Sequence, residues 1–162
     1  LEFNTVGFFF TFPNSIDDEL WAKRSNDKDI LELLIKRKNV DIRKEVFGGA
    51  LHGIEHAMIG IMPFHVMCDR WDIGGLSTNF HPSTGKPTVF IYDGFDGGIG
   101  LSEKAYELFE DIVKTTLELV KECQCDEGCP ACIYSPKCGN DNKPMDKKGA
   151  IFLLEKIKNN YC

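Results

Sequence analysis

The sequence lacks the features that mark membrane and secreted proteins. Among its 162 residues, no apolar run approaches the roughly 18 residues that cross a bilayer, so we expect no membrane partner. The start, Leu1-Glu2-Phe3, has neither the basic residues nor the small-residue cleavage site of a secretory signal. We therefore expect a cytoplasmic protein. An initiating Met is also missing, which suggests an excised fragment.

Nucleotide-binding motifs are also missing. The chain has no Gly-x-x-x-x-Gly-Lys-Ser/Thr loop to cradle a triphosphate, and neither an Asp-Glu-x-His nor an Asp-Glu-Ala-Asp box. We expect no ATP hydrolysis by this chain alone.

A surplus of basic charge is lacking too. The net charge is −6 and the pI is about 5.2, whereas nucleic-acid-binding domains are usually basic. From Ile133 onward, however, the sequence contains six lysines and only three acidic residues. This end is either a solvated helix face or a local phosphate-binding surface, and its candidate residues are Lys137, Lys143, Lys147 and Lys148.

The hydrophobic pattern predicts one domain, residues 1–162, of mixed α/β (α+β) class, with a small sheet packed against several helices. We expect a hairpin around the turn at residues 82–85, and a first strand that is buried rather than alternating. The predicted strands are 3–12, 66–81 and 86–93. The first predicted helix begins after Ser15, and the other four span 27–38, 42–63, 101–120 and 145–158.

Five of the seven cysteines crowd between Cys123 and Cys138. Thiols this close together, without an export signal, are typical of a metal site rather than of disulfides. Zinc takes four such ligands in a tetrahedron, and a closed four-sulfur site would be structural. An iron–sulfur cluster is the alternative, and the residues alone leave open which four thiols bind. Cys68 is expected in the core, and Cys162 has no assignable role.

Two other motifs suggest chemistry. His52-Gly-Ile-Glu55-His56 matches the H-x-x-E-H signature of one class of zinc peptidases, with both histidines on one helix face. The chain offers no identifiable distant carboxylate ligand, and a helix with packed histidines is the competing interpretation. The glycine-rich segment 93–100 lies between a strand and a helix, where it forms either an anion site or a tight structural turn. Because Asp93 and Asp96 would repel phosphate, we favour the turn.

Together these residues resemble the MrfA-type zinc-binding domain, which forms the C-terminal part of a family of DEAD/DEAH-like superfamily-two DNA helicases. The resemblance runs from about Ala50 to Asn160. It is carried by His56-Ala57, Asp69 with Asp72-Ile-Gly-Gly75, the segment 91–101, the cysteine segment 123–142 and Asp146-Lys147.

The resemblance implies a zinc knuckle at 123–142 held by Cys123, Cys125, Cys129 and Cys132, with Cys138 as an additional or alternative ligand. It also implies an accessory role in DNA repair, in which the domain braces ATP-binding, ATP-hydrolysing motor domains and helps to guide a DNA strand. The motor domains would lie in the same polypeptide or in a separate subunit, and the domain's own DNA contact would be weak and near the nucleoid. The rival interpretations are a free-standing zinc module for protein or nucleic acid, and the peptidase of His52, Glu55 and His56.

Overall fold

The computed structural model describes residues 3–161, in which three strands form an antiparallel sheet. The strands are β1 (Gly7–Thr11), β2 (Ile73–His81) and β3 (Lys86–Asp93), in the order β1-β3-β2. The predicted hairpin is confirmed, but β2 begins at Ile73 rather than Val66. A short 3-10 turn precedes β2. The Asp69 carboxylate accepts a hydrogen bond from the backbone N–H of Trp71, and the Asp72 carboxylate accepts one from that of Asp69; these bonds compete with strand pairing.

The first strand corrects an expectation. Its run of phenylalanines predicted burial on both faces, but its residues alternate: Phe8 is buried, whereas Phe9 is 55% exposed. The reason is that β1 lies at the edge of a sheet that has helices on one face, so every second side chain points outward.

The described chain contains six α-helices. The single helix predicted at 101–120 is interrupted at Leu108, where the backbone leaves helical geometry and the N–H bonds the carbonyls of both Lys104 and Ala105. This bend lets the consecutive residues Leu108 and Phe109 both pack on the core. The helices are α1 (Ile16–Arg24), α2 (Lys28–Lys36), α3 (Ile42–Ile61), α4 (Leu101–Glu107), α5 (Phe109–Glu122) and α6 (Lys147–Tyr161).

The central element is α3, which packs against β2, α5 and α6. Every residue from Ala50 to Ile59 is buried, as expected of a helix that is covered on all sides. Gly49 explains why this helix tolerates glycine: a Cβ there would lie 2.7 Å from the backbone of Met145. The glycine therefore allows the segment leading into α6 to approach α3 closely.

The structure also places the cysteines relative to the core and the helices. Cys68 is partly buried against the core, and the cysteine segment precedes the last helix. Cys162 lies outside the described residues. None of the described helices combines the length and apolar character needed to cross a membrane.

Candidate metal centre

Four cysteines come together between α5 and α6. Cys123 directly follows α5, and its N–H still bonds the carbonyl of Leu119, so the helix end fixes its position. At the other end, the Cys129 carbonyl accepts hydrogen bonds from Cys132 N at 3.0 Å and Tyr134 N at 3.1 Å, forming a tight turn. The helix end and the turn thus aim thiols at one point from both sides.

The sulfur spacing fits one tetrahedral ion. The Sγ atoms of Cys123 and Cys125, of Cys123 and Cys129, and of Cys125 and Cys132 are each 3.5 Å apart, and those of Cys129 and Cys132 are 3.9 Å apart. All four lie within 4.8 Å of one another. Zinc–sulfur bonds of about 2.3 Å in a regular tetrahedron place sulfurs roughly 3.8 Å apart. The residues present therefore fit a four-coordinate metal.

Lys147 adds a positive charge to this cluster. It is the first residue of α6, yet it is buried, and its Nζ lies 2.8 Å from the Cys123 carbonyl and 3.2 Å from Cys125 Sγ. Burial opposes ionisation of Cys125, but hydrogen bonds from Cys132, Lys147 and the other thiols outweigh it and lower the Cys125 pKa to about 7. Four thiolates around a divalent ion leave two negative charges, and Lys147 offsets one of them.

Cys138 does not join the four thiols. Its Sγ lies 3.5 Å from Nε2 of His52, on the central helix, and these two residues form a second group of ligand atoms with His56. The spacing of His52 and His56 correctly indicated a shared face, since their ring centroids are 4.2 Å apart. In the described chain, this group includes no carboxylate, which weighs against the peptidase interpretation.

Burial shifts the pKa values of His52, Glu55 and His56. Burial lowers the pKa of His52, and burial together with the charge of His52 lowers that of His56 to about 4. Burial raises the Glu55 pKa to about 7, although Ser77 bonds the carboxyl and Lys137 lies nearby. Both histidines are consequently neutral near pH 7, which is the form in which imidazole binds metals.

The four candidate DNA-contacting lysines differ in exposure. Lys147 is engaged at the thiols, and Lys137 donates to the backbone carbonyls of Arg70 and Ile73, so both ammonium groups face the protein. The side chains of Lys143 and Lys148 are exposed. The geometry weighs against phosphate contact by the first pair, and the prediction remains open for the second.

The glycine-rich segment is a structural turn. The Asp93 carboxylate accepts hydrogen bonds from the backbone N–H groups of Ile99 (2.6 Å), Gly100 (3.0 Å) and Ser102 (2.7 Å) and from the Ser102 hydroxyl (2.6 Å). Burial opposes its ionisation, but these bonds lower the Asp93 pKa overall. Gly100, with φ of 87°, supplies the left-handed residue before α4. The protein's own carboxylate thus occupies the anion position.

Sequence reasoning missed the pairing of Cys138 with His52. Cys138 follows Cys132 so closely that its position in the sequence indicates a place among the other thiols. The available signal was the surplus itself, because a tetrahedral site uses four thiols and the segment contains five.

Comparisons with known proteins agree with this geometry. Residues 54–133 match the family model described as "MrfA Zn-binding domain". The chain is 46% identical over 110 residues to the protein MJ1572.1 of Methanocaldococcus jannaschii, a match that covers 66% of this chain and 98% of that protein.

Helicases are also among the relatives. The ATP-dependent helicase YprA of Bacillus subtilis is 40% identical over 101 residues, covering 62% of this chain but 14% of the helicase. The crystal structure of the DUF1998 helicase MrfA bound to DNA superposes with a TM-score of 0.60 at 34% identity, covering 74% of this chain and 15% of that one. The chain therefore spans about a seventh of these helicases.

Proposed function

The chain belongs to the MrfA zinc-binding domain family, and on that premise we propose that it is the zinc-binding accessory domain of an ATP-dependent DNA helicase. It braces the motor domains, and DNA repair at the nucleoid is the setting we propose for it. The convergence of four thiols at tetrahedral spacing is the observation that carries this proposal.

The metal we propose is zinc, held by Cys123, Cys125, Cys129 and Cys132. In a four-iron cluster each cysteine binds a different iron atom, which spreads the thiols further apart than ligands of one ion. The short sulfur distances therefore favour a single ion. A four-sulfur zinc ion has no open position, so it would supply rigidity, and the chain's own residues would form a fixed corner between α5 and α6.

Elemental analysis of anaerobically purified protein tests the metal. We expect Cys129→Ser to lose one equivalent of zinc, and Cys68→Ser, which changes a thiol outside the cluster, to retain it. Bound iron with a visible absorbance band would contradict the zinc assignment.

A row of exposed apolar residues lies on the outer face of the sheet. Phe9, Phe90 and Leu76 are aligned across the three strands in one row, and Phe9 and Leu76 are more than half exposed. Phe80 is 60% exposed nearby in β2. Exposed apolar groups in one row are typical of a protein interface, and the motor domains are the occupant that the helicase relatives suggest.

Strand unwinding measures the bracing role. In the polypeptide that carries this chain, or in the chain mixed with its motor subunit, Phe9→Ser with Leu76→Ser should reduce ATP-dependent unwinding at least tenfold. Met67→Ser, which changes a fully exposed apolar residue away from the sheet, is the matched control. Equal unwinding by both variants would contradict the role of this surface.

DNA contact by the domain itself should be weak, given the net charge of −6. Lys143→Glu with Lys148→Glu should lower the salt dependence of binding by about 0.7 to 0.9 in slope for each phosphate that a lysine no longer neutralises. The affinity should fall equally for all sequences, because phosphate contacts position without specifying. An unchanged slope would mean that these lysines are only a solvated face.

A separate subunit is the second arrangement to consider. The match to MJ1572.1 covers nearly all of that protein, so a polypeptide of this family need not carry a motor. In that arrangement the sheet face would recruit the motor from another chain. Size-exclusion chromatography of the chain with a candidate motor, with and without the Phe9 and Leu76 substitutions, is the test. The separate-subunit arrangement requires a complex that forms with the unaltered chain and is lost with the substitutions.

A further inference from the structure

A second cluster of metal-binding side chains lies where the central helix meets the loop before α6. His52 and His56 are one helical turn apart on α3, and Cys138 approaches them from that loop. Nitrogen or sulfur ligand atoms of all three residues lie within 4.8 Å of one another. Three ligands can therefore reach one ion without a change in the backbone.

The histidine rings are held in the orientation that a metal site requires. His52 Nδ1 lies 2.9 Å from the carbonyl of Pro144, and His56 Nδ1 lies 2.9 Å from that of Ile133. A carbonyl only accepts hydrogen bonds, so in each neutral ring Nδ1 must carry the proton. The lone pair is then on Nε2. A backbone carbonyl on the distal nitrogen is the usual support of a metal-bound histidine.

The site opens into a cleft of about 460 Å³ between α3, β2 and the loop at 135–144. Glu55, Tyr92 and Lys137 also line this cleft. With three protein ligands, an ion there would keep a fourth position facing the cleft, as in zinc sites that bind water or a further ligand.

Charges nearby act in both directions. Lys137 and Arg70 would repel a cation, but Lys137 directs its ammonium group at backbone carbonyls rather than at the histidines. Metal binding displaces the proton of the Cys138 thiol, and the negative charge of the resulting thiolate would offset this repulsion. Two imidazoles and one thiolate suit borderline transition metals and not magnesium or calcium.

We infer that His52, His56 and Cys138 bind a second divalent transition-metal ion, through Nε2, Nε2 and Sγ, with one coordination position open to the cleft. This site is independent of the four-thiol site and goes beyond the proposed accessory function. It fastens the loop that follows the four thiols to the central helix.

Cobalt(II) titration of the metal-free 162-residue chain tests the inference. We expect two equivalents to bind, the second with thiolate charge-transfer absorbance roughly a quarter that of the first, because one thiolate replaces four. Cys138→Ser and His56→Gln should each lose one equivalent. Cys129→Ser should retain the weaker-absorbing equivalent, which separates this site from the zinc site.

His65→Gln and Cys68→Ser, which lie outside both clusters, are the matched controls and should bind two equivalents. A single equivalent in the unaltered chain, or two that survive both Cys138→Ser and His56→Gln, would overturn the inference. The unaltered chain decides the matter if a variant fails to fold, since the stoichiometry and the two absorbance intensities come from it alone.

Discussion

The two metal-binding clusters are assembled in different ways. The four-thiol cluster takes all its ligands from residues 123–132, so a helix end and one tight turn suffice to form it. The cluster of His52, His56 and Cys138 joins residues 86 positions apart, and it exists only when the central helix is packed. A metal can therefore organise the first cluster locally, whereas the second depends on the finished fold.

The largest effect is expected from a substitution that breaks the four-thiol cluster. Cys132→Ser should strip its metal and cost on the order of 5 kcal/mol of stability, because metal binding there is also folding energy. Thermal unfolding followed by circular dichroism, with metal content measured in parallel, provides the check. Cys138→Ser is the matched variant and should leave this metal bound. Equal destabilisation of both variants would show that the clusters are not independent.

The next effect concerns a long-range contact at the start of α6. Arg24 is buried and pairs with Asp27, Asp29 and Asp146, which joins α1 and α2 to α6. Arg24→Met should cost about 3–5 kcal/mol, because it leaves Asp146 without its buried partner. The exposed Arg43, paired with Asp17 and Asp18, is the control.

Arg43→Met should change stability by at most about 1 kcal/mol, since exposed ion pairs contribute little. Urea unfolding of the two variants measures the difference. Similar values for both would mean that burial of the Arg24 network adds nothing, and that α6 is held by apolar packing alone.

Asp93 provides a test with pH. Asp93→Asn should cost about 3 kcal/mol at pH 7, because the carboxylate accepts several hydrogen bonds from the turn. The folded pKa of Asp93 lies below its usual 3.8, so this stabilisation is complete above that pH and is lost as pH falls through the folded value. Urea unfolding at pH 7, 5 and 3 should show the same gap between variant and parent at pH 7 and 5, and a narrower gap at pH 3, below the usual pKa. A constant gap would contradict a charged Asp93.

The smallest effect compares neighbours on α6. Lys147→Met should cost about 2 kcal/mol and weaken metal retention, because its ammonium bonds the cluster. Lys148→Met should stay within about 0.5 kcal/mol, since its side chain is exposed. Chelator competition and chemical unfolding measure both. Equal retention of metal would show that Lys147 does not support the thiols.

Features that depend on neighbouring residues could be predicted from sequence. The hairpin around residues 82–85, the amphipathic helices and the crowding of thiols all follow from local composition, and each lies near its predicted position. Ends were less predictable. The start of β2 depends on side-chain bonds of Asp69 and Asp72, and the bend at Leu108 depends on the core beneath it.

Exposure was the property that local patterns misjudged. Phe9 belongs to an apolar run yet faces outward, because only one face of the sheet is covered. Lys147 is one of two adjacent lysines, yet it is buried because α6 begins beside the thiols. The residue type determines the free-energy cost of burying a side chain, whereas its position in the folded chain determines whether the side chain is buried.

By itself, the sequence determined the elements, the mixed α+β class and a thiol-rich segment, because these arise from spacing within a few turns of chain. Only the tertiary structure decided that Cys138 lies with His52, that Lys147 supports the thiols and that Asp93 occupies its own turn. The physical reason is that side-chain contacts across many residues form when the apolar core closes around α3. No local pattern encodes which distant polar groups that closure brings together.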